Sequence, residues 1–419
     1  MAKVKETSSR DVTLTGLLGD FRLLLTLFIA FRLLLLIVYQ PLLVNNIERG
    51  VTAGGDFLYY YQLGALSEEG NLPFRDWWSE FPPIPSFLNT LIYQLAGQTY
   101  AGFAMLFGLL MLACDVGNLV LVRAIGIRLH GANTGMALAW VYALMIAPTV
   151  FIWWNFEALV AFLLLLSVWY LLRTDDIRSA VAAAIGVLVK FTPALVLGAV
   201  WRFRQPKMAL RYTVMVAGIF GVVYALLFAQ NAAMTAPSLT AQFNKASYQT
   251  IWALIDGNYQ TGNFGAASER LDPANAYIVQ GNPSVIPGWL RLALAAALGA
   301  FIFARIRRFD NKGLVAFVTI TLLIFFLQAQ GWSPQWLVQI IPLVLLCLPT
   351  RDGVTTVILL SLVTFAEYPF LFIRTGDTGG VITGALVTPF VILILSRTLI
   401  LIGICVALYR RLRQEAVLA

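Results

Sequence analysis

The stretch SAVAAAIGVLVKFTPALVLGAVW, residues 179–201, lies between two basic clusters, Arg173/Arg178 before it and Arg202/Arg204/Lys207/Arg211 after it. Short loops rich in Lys and Arg mark the inner side of a membrane protein. If both clusters are inner, the chain enters and leaves the membrane on the same side. Two full crossings take about 40 residues, far more than this stretch contains. A re-entrant hairpin over 179–201 follows, with its tip near Lys190-Phe191-Thr192-Pro193. An arm of about 12 residues rises roughly 18 Å, which places Lys190 deep in the bilayer. Irregular backbone survives there only if it is buried in protein or lines a cavity. The other solution is one tilted helix kinked at Pro193, which puts the second cluster outside.

Composition agrees with a membrane setting. Of 419 residues, 59% are hydrophobic and only 12% charged, and mean hydropathy is +0.79. Soluble domains carry roughly 25% charge. The chain is therefore expected to be an all-α polytopic membrane protein, one transmembrane domain over 1–419 with no sizeable soluble part. Residues 1–22 read as a retained cytoplasmic tail, since no small-residue cleavage site follows them. Apolar runs predict spans at 23–44, 102–122, 135–152, 156–172, 210–229, 289–305, 313–329, 334–349, 353–372 and 380–409. That makes about ten transmembrane helices, with the hairpin in addition and a short interfacial helix at 86–97. A tight corner is expected at Trp153-Trp154-Asn155, and both termini are cytoplasmic.

The net charge of +8 does not signal nucleic acid, because its distribution follows membrane topology. Arg49, Arg75, Lys245, Arg270, Arg291 and Arg374 fall outside, Arg32, Lys190 and Arg397 fall within membrane segments, and the rest of the 29 Lys and Arg lie inside. Cys114, Cys347 and Cys405 all sit in apolar runs and read as packed thiols. With a single histidine, His130, in a short basic loop, no metal-type spacing exists.

Two long outer loops remain, 45–85 and 231–287. The first contains GGDFLYYYQLGALSEEGNLPFRDWWSEFPPIP at 54–85. Gly54 and Gly55 free the backbone ahead of a lone acid, Asp56. Carboxylates among aromatics at the rim of an apolar protein suit a site that handles a sugar, whereas an ordinary aromatic belt is the plain alternative. In the second loop Tyr248, Gln249, Trp252, Asn258, Tyr259 and Asn263 suit sugar stacking and hydroxyl bonding, or else simple solvation. The outer acids need a reason of their own, because Asp and Glu do not set orientation.

A Lys or Arg at mid-bilayer costs about 2.5–3.5 kcal/mol on insertion scales. Lys190 and Arg397 are both deep, and an anionic group arriving from outside the protein, such as a lipid phosphate, would satisfy them. Structural pairing of Arg397 or Lys190 with Asp115 or Glu367 is the alternative. Arg32 is weaker evidence, and Arg374, at the outer end of a span, can equally meet a headgroup.

The ordered set Asp56-x-x-x-Tyr60, Gly70-Asn71-Leu72-Pro73-Phe74-Arg75-Asp76 and Glu80-Phe81-Pro82-Pro83 resembles the D…Y…G-x-x-P-Y-R-D…E-Y-P-P pattern of GT-C membrane glycosyltransferases. Within them it is most similar to the bacterial polyprenyl-phosphate-mannose-dependent α-mannosyltransferases. Asp115, Asn155-Phe156-Glu157, Leu188-Val189-Lys190-Phe191-Thr192-Pro193 and, weakly, Gly331-Trp332-Ser333-Pro334-Gln335-Trp336 continue the likeness over roughly 20–350.

The resemblance implies a GT-C fold and an inverting enzyme that moves a sugar from a polyprenyl-phosphate donor to a glycolipid or glycan hydroxyl. Mannose is the commonest donor sugar of such enzymes. Asp56 matches the general base. Lys190, with Arg397 and Arg374 added on depth and position, would hold the donor phosphate; Tyr60, Asp76, Trp78, Glu80, Glu157, Trp332 and Gln335 would meet acceptor or sugar. The site would face the periplasm of a bacterial cytoplasmic membrane. The chain departs from the pattern in lacking a paired D-x-D at Asp56 and a late-span histidine, where Gln335 or Glu367 lies instead. Metal-independent transfer is therefore expected, with no cofactor beyond the lipid-phosphate sugar as co-substrate. A flippase or transporter of lipid-linked saccharides, or a ligase, would share the substrate class without needing Asp56. Transporters of this kind often carry repeated discontinuous helices, and no second copy of the hairpin is found.

Overall fold

The computed structural model describes residues 13–39, 56–151, 155–262, 264–279, 281–375 and 379–415. Among them the chain is helical, and the only β pairing consists of isolated bridges. Helix α1 spans Phe21–Tyr39. The first long loop, the first outer loop of the expected topology, then contributes α2 (Asp56–Ala65) and α3 (Pro83–Leu95). Gly54, Gly55, Trp153, Trp154 and Asn263 lie outside the described residues.

Helix α4 (Tyr100–His130) is longer than its apolar run, because Arg123 and Arg128 extend it toward the aqueous side. His130 is therefore a helix end and not a loop residue, and its Nε2 lies 2.8 Å from the Leu346 carbonyl. Gly131, at φ 89°, turns the chain into α5 (Ala132–Leu144). A break at Met145 and a short helix, Ile146–Phe151, replace one continuous span there. Helix α6 (Glu157–Leu172) follows.

The stretch 179–201 folds as α7 (Asp176–Val189), an extended Lys190, a 3-10 turn at Thr192–Leu195 and α8 (Val196–Phe203). Its two ends meet, with Arg204 Nε 2.9 Å from Asp176 Oδ1. A single kinked helix cannot join its own ends, so the chain doubles back at Lys190. Gly186 permits the close return: a Cβ there would stand 2.9 Å from the Pro193 ring.

Helices α9 (Pro206–Gln230), α10 (Pro237–Asn244) and α11 (Ile251–Asp256) lead through the second outer loop to α12 (Gly288–Arg305). Helices α13 (Asn311–Gln328), α14 (Leu337–Cys347), α15 (Arg351–Phe365) and α16 (Val387–Arg413) complete the bundle. Every residue of α14 is buried. The expected span at 334–349 folds as the turn Pro334–Trp336 and α14, buried on all sides by protein, which run from Gln335 at Asp56 to Leu346 at His130. Six helices among the described residues, α1, α4, α9, α12, α13 and the last one, are long and apolar enough to cross a membrane. The chain is an all-α polytopic membrane protein.

A clamp between α1, α4 and α5 settles one buried charge. Arg32 Nε donates to Asp115 Oδ2 at 2.9 Å, and its other nitrogens donate to the Ala143 carbonyl at 3.3 Å and Thr149 Oγ1 at 3.1 Å. Tyr142 donates to the second carboxylate oxygen. Asp115 therefore pairs with Arg32, not with Arg397 or Lys190. The three cysteines are free thiols.

Candidate active site

Asp56 opens α2 and faces a cavity of about 520 Å³ between the outer loops and the bundle. Tyr60 lies one turn further along the same helix face, and its hydroxyl is 3.5 Å from Asp56 Oδ2. The Phe107 and Phe156 rings hold Tyr60 at 5.7 and 5.5 Å between centroids. Gln335, in the 3-10 turn Pro334–Trp336 that leads into α14, donates to the same Oδ2 at 3.1 Å. A helix N-terminus favours an ionised acid, but the surroundings outweigh it. Burial, and then the neighbouring Glu157 carboxylate, push Asp56 up to about 7, against the pull of Lys190 and Tyr60.

Below Asp56, Lys190 at the hairpin tip donates to Glu157 Oε1. The Glu157 carboxylate also accepts from Gln339 Nε2, and Thr192 donates to Gln339 Oε1 at 2.9 Å. Asn155 Oδ1 accepts the Glu157 amide at 2.7 Å and so starts α6 at the cavity floor. Lys190 keeps a side open to the cavity, 5.1 Å from the centre of the Trp336 ring.

The two outer loops are pinned together at Glu80. Its carboxylate accepts from Tyr59 at 3.2 Å and from Arg270 at 3.2 Å, with Lys245 Nζ at 3.5 Å. Burial works to raise Glu80, but the cations Lys245 and Arg270 overcome it and hold the carboxyl below its usual range. Phe264 stacks on Tyr59 at 4.5 Å, and the Arg270 guanidinium lies 4.5 Å from the Trp78 ring centre. Trp78 itself receives loop contacts: its amide donates to the Arg270 carbonyl at 2.9 Å and its indole N–H to the Asp272 carbonyl at 2.8 Å. The second outer loop is consequently packed, not merely solvated.

Asp56, Tyr60, Glu80, Glu157, Lys190, Trp332 and Gln335 all line the cavity. Asp76, Trp78, Arg374 and Arg397 are not in its wall. Asp76 instead shapes its own turn, accepting the Leu72 amide at 2.8 Å and pairing with Arg75 at 2.7 Å, which lowers its pKa. Trp78 is a buried wedge between loops. Arg374 is exposed, 5.2 Å from the centre of the Phe370 ring.

Arg397 is the principal correction. Its guanidinium is taken by Glu367 and the Gln249 carbonyl, and it stacks 4.3 Å from the Trp332 ring centre. Gln249 closes this unit by donating to Glu367 Oε1 at 3.1 Å. A cation so enclosed supports the cavity wall and does not reach a phosphate inside it. Sequence reasoning also missed residues that do line the cavity. Lys245 and Arg291 gave no local signal beyond their charge, and Tyr368 none beyond its aromaticity, whereas Tyr248 and Gln249, expected from the second loop, do line it. No cluster of metal-binding side chains is found among the described residues.

No family model and no curated protein sequence matches the chain. Among solved structures, it is similar to the apo oligosaccharyltransferase of Archaeoglobus fulgidus, with TM-score 0.43 and 10% identity over 94% of this chain and 56% of that one. The archaeal oligosaccharyltransferase AglB from Archaeoglobus fulgidus in complex with an inhibitory peptide and a dolichol-phosphate aligns with TM-score 0.39 and 12% identity, covering 94% and 56%. ArnT from Cupriavidus metallidurans bound to undecaprenyl phosphate aligns with TM-score 0.44 and 16% identity, covering 92% and 72%. The chain spans little more than half the length of the oligosaccharyltransferase chains. Likenesses at TM-scores below 0.5 do not carry an activity from those proteins to this one.

Proposed function

We propose that this protein is an inverting, membrane-embedded glycosyltransferase that moves a sugar, mannose as the first candidate, from a polyprenyl-phosphate donor to a glycolipid or glycan hydroxyl at the outer face. The observation that carries this reading is Asp56: a carboxyl poised near neutral, held by Gln335 and Tyr60 on the wall of a cavity large enough for sugar groups. A general base works best when its pKa lies near the operating pH.

In the proposed step the acceptor oxygen attacks the anomeric carbon as Asp56 takes the hydroxyl proton. The bond from that carbon to the phosphate oxygen breaks, and the electron pair leaves with the lipid phosphate. Charge that develops on the leaving group is stabilised by preorganised cations. Lys190 is at the cavity wall for this purpose, with Glu157 holding its ammonium in place.

The test is transfer of radiolabelled mannose from polyprenyl-phosphate-mannose to membrane glycolipids by purified wild type and Asp56→Asn. Transfer by wild type that the substitution abolishes, with donor binding kept, is the expected result. Equal transfer by both removes Asp56 as base; no transfer by wild type removes mannose on this carrier as the substrate.

A further inference from the structure

Helix α12 presents Leu290, Leu294, Leu298 and Phe301 outward and buries little besides Arg291 and Ile302. An arginine in the first turn of such a helix can snorkel to the surface at little cost. Arg291 does the opposite. It is only 3% exposed, turns inward to line the cavity, and has no hydrogen-bond partner at Nε or Nη1. Asp256 contributes attraction from a distance, but its carboxylate is committed to Ser247 at 2.6 Å and the Val285 amide at 2.7 Å. The Trp252 ring, 5.5 Å from the guanidinium carbon to its centroid, offers one apolar face. An uncompensated buried cation costs several kcal/mol, so such a group persists where a ligand completes it.

A second feature converges on the same point. The N-cap of α12 is Pro287, which places no side-chain cap on the helix start. The first amides of a helix lack intrahelical partners and favour anions, and Gly288, the first residue of α12, also lines the cavity. The wall beside it carries exposed apolar side chains: Leu292 and Phe243 line the cavity while remaining 47% and 73% exposed.

We propose that Arg291 and the N-terminus of α12 form an anion site for the phosphate of an isoprenoid lipid, which enters the cavity sideways between α10 and α12. This assignment rests on the transferase reading for the identity of the lipid, and it moves the phosphate contact from Arg397 and Arg374 to a residue whose donors are open. The guanidinium fork matches phosphoryl oxygens, and the exposed apolar side chains at the opening match the chain behind the phosphate.

The experiment is equilibrium binding of farnesyl phosphate, farnesol and inorganic phosphate to the full-length protein in nanodiscs, using wild type, Arg291→Gln and Arg291→Lys. Wild type should bind farnesyl phosphate, Arg291→Gln about tenfold to a hundredfold more weakly, and Arg291→Lys in between. Farnesol and inorganic phosphate should bind far more weakly than farnesyl phosphate. Without ligand, Arg291→Gln should melt no lower than wild type, since it removes an unpaired buried charge; a lower melting point would give Arg291 a structural role and overturn the site. Unchanged farnesyl phosphate binding by Arg291→Gln overturns it as well. Inorganic phosphate binding as tightly as farnesyl phosphate would overturn the lipid source. If mannose transfer is absent but these differences hold, mannose on this carrier falls as the substrate and the site stands; transfer with no effect of Arg291→Gln on binding or KM sinks the site alone.

Discussion

Replacing Asp56 by Asn should make the protein inactive and more stable at once. The magnitude comes from the position of the carboxyl, whose pKa moves from an ordinary 3.8 to about 7 on folding. Each such step of one is worth 1.36 kcal/mol, so full ionisation costs the folded state at most about 4 kcal/mol relative to a neutral side chain of the same shape. The sign follows from proton binding. The folded state holds the proton more tightly, so stability is greatest below pH 3.8 and is lost as pH rises through about 7. The gain from Asp56→Asn should therefore be largest at pH 8 and fall to roughly 1–2 kcal/mol at pH 5. Removal of a positioned base should cost about 10² to 10⁴ in rate. Thermal unfolding in one detergent at pH 5 and pH 8, beside transfer measured on the same preparations, reads both effects. An Asn variant that is less stable than wild type at pH 8, or that keeps more than about a tenth of the activity, would refute the picture of Asp56 as a desolvated base.

The pH profile offers a finer check, because ionised Asp56 is the active form and transfer should rise with pH through about 7. Glu157→Gln removes a charge that raises Asp56 and should shift this limb to lower pH; Lys190→Gln should shift it to higher pH. Arg270→Met strips Glu80 of its main partner and should cost about 3–5 kcal/mol, seen as a lower melting point and faster proteolysis of the second outer loop; the double variant with Glu80→Leu should recover part of that loss. Asp115→Asn should destabilise by a similar amount because it strands Arg32, while Arg32→Met with Asp115→Leu should be milder, and the folded fraction of either should keep its specific transfer rate since neither residue lines the cavity.

Much of this protein can be read from its chain alone. Membrane insertion depends on sums of transfer free energy over about 20 neighbouring residues, so the spans around Phe21–Tyr39, Pro206–Gln230 and Gly288–Arg305 show in local composition. The doubling back at Lys190 is legible for a related reason, because chain length and flanking charge constrain it before any tertiary contact forms. Asp56 stands out as a lone acid among tyrosines. That α14 is covered by protein on every side is not legible, because an apolar run reads the same whether lipid or protein covers it.

Charges are where local reading fails, because an ion pair in a bundle joins residues far apart in the chain. Glu367 is open from the sequence as a partner of Arg397, but nothing local chooses it over a lipid phosphate or announces Gln249, and nothing near Arg32 announces Asp115. Depth shows that Arg32 and Arg397 need partners, but only packing decides that protein supplies them, and only packing leaves Arg291, which the sequence places outside, facing the cavity. The sequence by itself determined the membrane bundle, its hairpin and the placing of Asp56, since hydropathy and chain length act locally. Tertiary structure alone decided the charge pairing that separates wall from site, since electrostatic satisfaction depends on distances between helices.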